Sequence, residues 1–159
     1  MDQYSRRIIG FGTHQGDVDG FNVCKMFNHA ISASDPPRYL STDNDPLFRF
    51  HRWKSNLRIL AVTEIKSVPY VPISHPFIER VIGTIRRDYL IHLPFWNSLD
   101  LERKLGEFKD YYNNHRTHAA LSGQPPTKCC QQADEVCVNI NNYKWRQHCR
   151  GLFYTPVAA

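Results

Sequence analysis

The sequence lacks what a membrane or exported protein carries. No stretch approaches the roughly 18 apolar residues of a membrane helix. Met1 is followed by Asp2, Gln3, Tyr4, Ser5, Arg6 and Arg7, with no apolar signal region. These absences predict a soluble, cytoplasmic protein without a membrane partner. Cysteine is sparse and odd in number: Cys24, Cys129, Cys130, Cys137 and Cys149. That argues against a disulfide framework and suits a reducing compartment. With His148, the late cysteines suggest zinc, but their gaps do not match the paired-ligand spacing of a zinc site. There is no internal repeat and no low-complexity tract. Acidic residues are outnumbered, 15 against 20 basic, for a net charge of +5 and a pI near 9.0. Such an excess is compatible with a polyanionic partner but does not establish one.

What remains is enough for a folded domain. The 159 residues are 42% hydrophobic and 13% aromatic, so one core is expected and disorder is not. Ile8 to Gly12 reads as a strand, entered abruptly from a turn over Asp2 to Arg7. Asp17 or Asp19 caps a helix whose Phe21, Cys24, Phe27 and Ile31 recur at helical spacing. Arg38 to Ser41 is a short strand ending at Thr42-Asp43-Asn44-Asp45. Pro46 opens a helix with Phe48, Trp53 and Leu57 inward. Arg58 to Glu64 reads as another strand, and Lys66 to Pro76 as a proline-punctuated loop with Ser74 as the next cap. A helix follows over His75 to Leu90 with Ile78, Ile82, Ile85 and Tyr89 as its buried stripe. Ser98 caps a further one with Leu101, Leu105, Phe108 and Tyr112. Beyond Leu121 periodicity fades, so residues 122–159 are expected as a tail of uncertain order. The alternation predicts an α/β layer with parallel strands.

Two carboxylates stand out within this frame. Asp43 ends a predicted strand, and Glu79, followed by Arg80, lies in the first turns of a predicted helix. Residues 44 to 78, 35 in all, separate them. A carboxylate at a strand's C-terminal end lies where α/β folds bind ligands. Mg²⁺ takes oxygen ligands from few carboxylates and keeps waters and phosphates. Two such ions can activate an attacking oxygen and stabilise a leaving one.

These residues resemble the catalytic core of DDE-type insertion-sequence transposases and retroviral-like integrases. Thr42-Asp43-Asn44 is similar to the family's second-aspartate motif, Glu79-Arg80 to its glutamate motif, and the gap to its D,35,E spacing. Tyr70 to Pro76 resembles the loop before the glutamate helix. Tyr112-Asn113, His115-Arg116, His118 and Leu121 resemble the closing segment, followed by a Gln124-Pro125 turn. The resemblance covers roughly residues 1 to 127. It implies an RNase H-like mixed sheet flanked by helices, with a partial core over residues 1–121. It also implies Mg²⁺ or Mn²⁺ on Asp43 and Glu79, and DNA as partner, with a homo-oligomer or full-length transposase as protein partner. Arg86, on the Glu79 face, and Arg80 and Arg87 beside it are the DNA-phosphate candidates.

The resemblance also implies a departure. Asp2-Gln3-Tyr4-Ser5-Arg6 matches a turn after the family's second strand, not its first aspartate. The chain is therefore expected to lack its first strand and first catalytic carboxylate. It should be inactive alone in metal-dependent cleavage and strand transfer. The alternative is a non-catalytic module that binds DNA or inhibits a transposase. Plainer roles stay open beside these: Asp43 as a turn residue before Pro46, Glu79 as an acid favoured by the helix dipole, and the arginines as a solvated surface. Arg49, His51, Arg52, Lys54 and Arg58 read as solvated charges around an inward Trp53.

Overall fold

Asp19 starts the first helix by accepting the Asn22 N–H at 2.7 Å, and α1 runs over Gly20–Ile31. In this computed structural model, residues 1–67, 76–128 and 143–158 are described. The loop expected over Lys66 to Pro76, with the Ser74 cap, and Cys129, Cys130 and Cys137 fall largely or wholly outside them. Strand β1 covers Tyr39–Thr42. A 3₁₀ turn over Pro46–Arg49 is capped by Asp45, which accepts the Leu47 N–H at 2.8 Å, and leads into α2, His51–Ile59. Strand β2, Thr63–Lys66, pairs parallel with β1, with Tyr39 opposite Thr63 and Thr42 opposite Lys66. The run expected as a strand from Arg58 begins later. Its first residues close α2, with Ile59 84% exposed, and Ala61 takes a left-handed φ of 54°.

Helix α3, Pro76–Thr84, continues as a π-helical turn over Ile85–Leu90, where the Ile91 N–H reaches back to the Arg86 carbonyl at 3.2 Å. The inward stripe is Val81, Thr84, Ile85 and Tyr89, whereas Ile82 is 42% exposed. Ile85 and Tyr89 lie on the expected stripe. Ile78 is half-buried in phase with Val81 and Ile85, whereas Ile82 falls on the exposed side. Helix α4, Ser98–Asn114, is capped by Asn97 rather than Ser98 and buries Leu105, Phe108 and Tyr112.

Strands β3, Tyr143–His148, and β4, Phe153–Ala158, form an antiparallel hairpin. Its turn passes through positive φ at Cys149, Arg150 and Gly151. The strained Arg150 is held by a two-pronged contact to Glu107, both nitrogens at 3.2 Å. Phe153 stacks on Tyr111 of α4 with centroids 4.3 Å apart, which docks the hairpin on the helix.

Two apolar clusters result. One joins α3, α4, the hairpin turn and Ile8 around Tyr89 and Phe108, both fully buried. The other joins α1, α2 and the β1–β2 pair around Trp53, which meets Phe27 edge-on at 5.3 Å. Ile8 to Gly12 is not a strand and takes no regular secondary structure. Its main chain is satisfied by side chains of α4. Asn113 accepts the Ile8 N–H and donates to the Ile8 carbonyl, both at 2.9 Å, and Lys109 donates to the Ile9 carbonyl at 2.6 Å. On the other side a Cβ at Gly10 would lie 2.1 Å from the Ala30 carbonyl oxygen, so the segment lies directly on the end of α1.

Candidate active site

Asp43 leaves the carboxyl end of β1 between two anchored neighbours. Thr42 Oγ1 donates to Glu64 Oε1 at 2.8 Å, and the Trp53 indole N–H donates to the same oxygen at 3.0 Å. Asn44 Nδ2 donates to the Ser67 carbonyl at 2.9 Å, tying the exit of β1 to that of β2. The Asp43 side chain itself is exposed, and its Oδ1 accepts the Asp45 N–H at 3.1 Å. The strand end and its neighbours thus orient Asp43 without burying it.

Glu79 stands exposed in the first turn of α3, and Arg80, Arg86 and Arg87 are exposed along the same helix and its π-helical continuation. Arg87 folds back over Gly83, where an added Cβ would come 3.0 Å from its Nη1. Asp43 thus lies one residue beyond β1, and Glu79, Arg80, Arg86 and Arg87 lie on α3 and its π-helical continuation. Among the described residues, no group of three or more His, Cys, Asp or Glu is placed to hold a metal ion. Asp43 and Glu79 each offer hard carboxylate oxygens, the donor type Mg²⁺ takes.

Asp2 is engaged in a turn. Its carboxylate accepts the Ser5 hydroxyl, the Ser5 N–H at 3.0 Å and the Tyr4 N–H at 3.3 Å. Partial burial pushes its pKa up, but these donors and the N-terminal ammonium outweigh that and hold it below the ordinary value. Next to it, Arg6 adopts φ 63° and lays its guanidinium 3.3 Å from the centre of the Phe77 ring in the first turn of α3.

The closing segment is structural. Besides Asn113, Tyr112 packs its ring 4.8 Å from His118, and Thr127 Oγ1 donates to the Asn113 carbonyl at 2.9 Å. His118 returns the chain through backbone bonds with Gln124 and Gly123. Burial first, then the Arg116 and Arg6 charges, lowers the His118 pKa. Thr42, Trp53 and Glu64, the polar support beside Asp43, were not singled out from the sequence. The period-2 placement of Thr42 and Glu64 on paired strands was the available signal.

The fold is RNase H-like, similar to that of retroviral integrase catalytic cores. Similar solved structures are the simian T-cell lymphotropic virus intasome (TM-score 0.59, 18% identity, 84% of this chain and 50% of that one) and the BIV integrase catalytic core (0.55, 19%, 72% and 72%). A third is the HTLV-2 integrase catalytic core solved with magnesium as a dimer (0.54, 18%, 73% and 71%). Residues 61–126 match the family model of the Integrase core domain, and the chain is similar to insertion-element transposases. The putative transposase InsD of insertion element IS2E from Escherichia coli K12 is 27% identical over 113 residues, 67% of this chain and 51% of that protein. InsD of IS2D is likewise 27% identical, over 67% of this chain and 37% of that protein. The chain thus spans about half the length, or less, of these curated relatives. Glu79 and the closing segment lie inside the matched region, and Asp43 precedes it. No helix among the described residues is long and apolar enough to cross a membrane.

Proposed function

We propose that the chain is the part of a transposase core that presents two of its metal-binding carboxylates, Asp43 and Glu79, to DNA, and that alone it does not cut or join DNA. The observation that carries this reading is their placement. Asp43 is at the open end of β1 and Glu79 is in the first turn of α3, 35 residues apart, within an integrase-type fold. Mg²⁺ or Mn²⁺, when bound, would neutralise charge on a phosphodiester and lower the pKa of an attacking water. Asp43 and Glu79 would each contribute an exposed carboxylate to the ion. Arg86, with Arg80 and Arg87, would hold backbone phosphates. The inactivity follows from ligand count, since the Asp2 carboxylate is committed to its turn and two carboxylates anchor two ions poorly.

The test is a strand-transfer reaction with the purified chain, labelled transposon-end DNA and Mg²⁺ or Mn²⁺. No joined or nicked product is expected. Product that disappears in Glu79→Gln would overturn the inactivity while keeping the site.

A second reading, a non-catalytic DNA-binding module in the cytoplasm, is favoured by the exposed arginines of α3 and the net charge of +5. It predicts binding that weakens steeply with salt, with Arg86→Ala lowering the slope of log K against log salt by about 1. Binding insensitive to salt would remove it.

A further inference from the structure

The β3–β4 hairpin meets the end of α4 through a row of rings. His115, the C-cap of α4, lies against His148 at the end of β3, with ring centroids 4.0 Å apart and planes inclined by 36°. Tyr111 continues the row, 5.4 Å from His148 and 4.3 Å from Phe153. The His148 ring is fixed within the hairpin, its Nε2 lying 2.8 Å from the Thr155 hydroxyl. A cavity of about 540 Å³ adjoins this seam. Tyr111, His115 and Arg116 line one side of it, and Tyr154, Thr155 and Pro156 of β4 the other.

Two imidazoles this close, one on each element, make the seam sensitive to protons. Arg146 on β3 and Arg116 just past α4 are the cations beside them, and the Asp110 carboxylate of α4 opposes these. The Tyr111 phenol is pushed up by burial, and the Cys149 thiol is pushed up to about 12, mainly by burial, so both stay neutral near pH 7. Tyr154 faces the same cavity. Burial lowers the His115 pKa, with Asp110 opposing and Arg146 adding to the effect. Burial, then the His115 and Arg146 charges, lower that of His148, again against Asp110. The two rings titrate as a pair, because a second proton enters beside the first. Undocking returns both to water, where histidine titrates at about 6.5. The undocked hairpin therefore takes up protons more readily than the docked one. Docking is fully supported above about 6.5 and is lost as pH falls below it.

We propose that His115 and His148 form an acid-released latch, neutral when the hairpin is seated on α4 and protonated when the hairpin lets go and the cavity beside Arg116 opens. The Arg150–Glu107 contact holds the turn through groups other than histidine, so the turn is the hinge and the strands are what move. A two-stranded hairpin is marginal by itself in water, so the released strands also fray. The latch rests on neither the metal nor the DNA reading.

The experiment is amide exchange on the full chain between about pH 7.5 and 5.5, read as protection relative to the intrinsic rate at each pH. Protection of the β3–β4 ladder should fall about tenfold for each histidine that docking keeps unprotonated, while the amides of α2 hold theirs. His115→Phe keeps a ring in the stack but cannot take a proton. Its ladder should match the unmodified chain at pH 7.5 and lose at least threefold less protection toward pH 5.5. His148→Phe puts the same question from the hairpin side. Ladder protection that does not change with pH overturns the latch. So does a drop of unmodified size in both variants. Loss of protection in α2 in step with the ladder overturns it as well, because acid would then be unfolding the chain as a whole.

Discussion

The α4 side and the α1 side of the molecule both bury large aromatic residues, yet they finish their main chains differently. On the α4 side, Phe108 is surrounded by Tyr89, Tyr111, Tyr112 and Phe153. The neighbouring backbone is satisfied by Asn113, Lys109 and Lys104. On the α1 side, Trp53 has Phe27 and Phe48. Among the described residues, side chains satisfy more of the main chain on the α4 side, whereas the α1 side has the Asn44 bond to the Ser67 carbonyl. Aromatic packing alone therefore does not complete a core.

The largest expected effect tests whether the halves are one cooperative unit. Phe108→Ala should cost about 3–5 kcal/mol, as deep aromatic truncations do, read from urea unfolding followed by circular dichroism. Trp53→Ala should cost a similar amount. If the halves are coupled, both variants shift one transition, whereas two transitions, each moved by only one variant, would show that they are independent units.

Next is the loss of main-chain satisfaction. Asn113→Leu leaves the Ile8 N–H and C=O without partners in a buried setting, at about 1–3 kcal/mol for each stranded group. Faster amide exchange at Ile8 with little change at Val23 would confine the effect to the α4 side. An unchanged Ile8 amide would disprove the assigned role.

A smaller effect concerns acid. Lys104, 3% exposed, donates to Asp100 at 2.6 Å and to the Pro94 carbonyl at 2.5 Å. The Lys104 contact, ahead of opposing desolvation and aided by Arg103, lowers the Asp100 pKa to about 2. A lowered pKa stabilises the fold fully above the ordinary carboxylate value, and the contribution is lost as pH falls from about 4 through about 2. Asp100→Asn should flatten that limb of the stability profile. An unchanged limb would show that the pair does not contribute.

The smallest change is expected for Arg6→Met. The Arg6 Nη1 is buried without a hydrogen-bond partner, so removing it relieves a cost while losing the Phe77 contact. A net shift below about 1 kcal/mol is expected in the same unfolding measurement.

How much of this was legible in the sequence depends on whether the signal is local. Asp43, Glu79 and the 35 residues between them needed only strand and helix termini, and those were readable from Thr42-Asp43-Asn44-Asp45-Pro46 and the helix pattern after Pro76. Ile8 to Gly12 read as a strand because its composition is that of one, but a strand requires a partner far along the chain, and here Asn113 takes that place. Ile82 was read inward because its spacing to Ile85 fits a stripe, but the buried face runs through Val81, Thr84 and Ile85, and Ile82 falls beside it. The hairpin over 143–158 escaped notice because its turn has one glycine, Gly151, and two residues forced into left-handed geometry beside it. Arg150 tolerates that geometry only through Glu107, on a helix some forty residues earlier.

The carboxamide of Asn113 has the outline of a peptide unit, with one donor and one acceptor set side by side. Seated against Ile8, it acts as a stopper. Another chain seeking to extend pairing along this N-terminal segment would first have to displace a side chain anchored in the longest helix. Runaway edge-to-edge association is thereby blocked on that flank. A polar residue in an apolar interior thus blocks main-chain pairing along that flank.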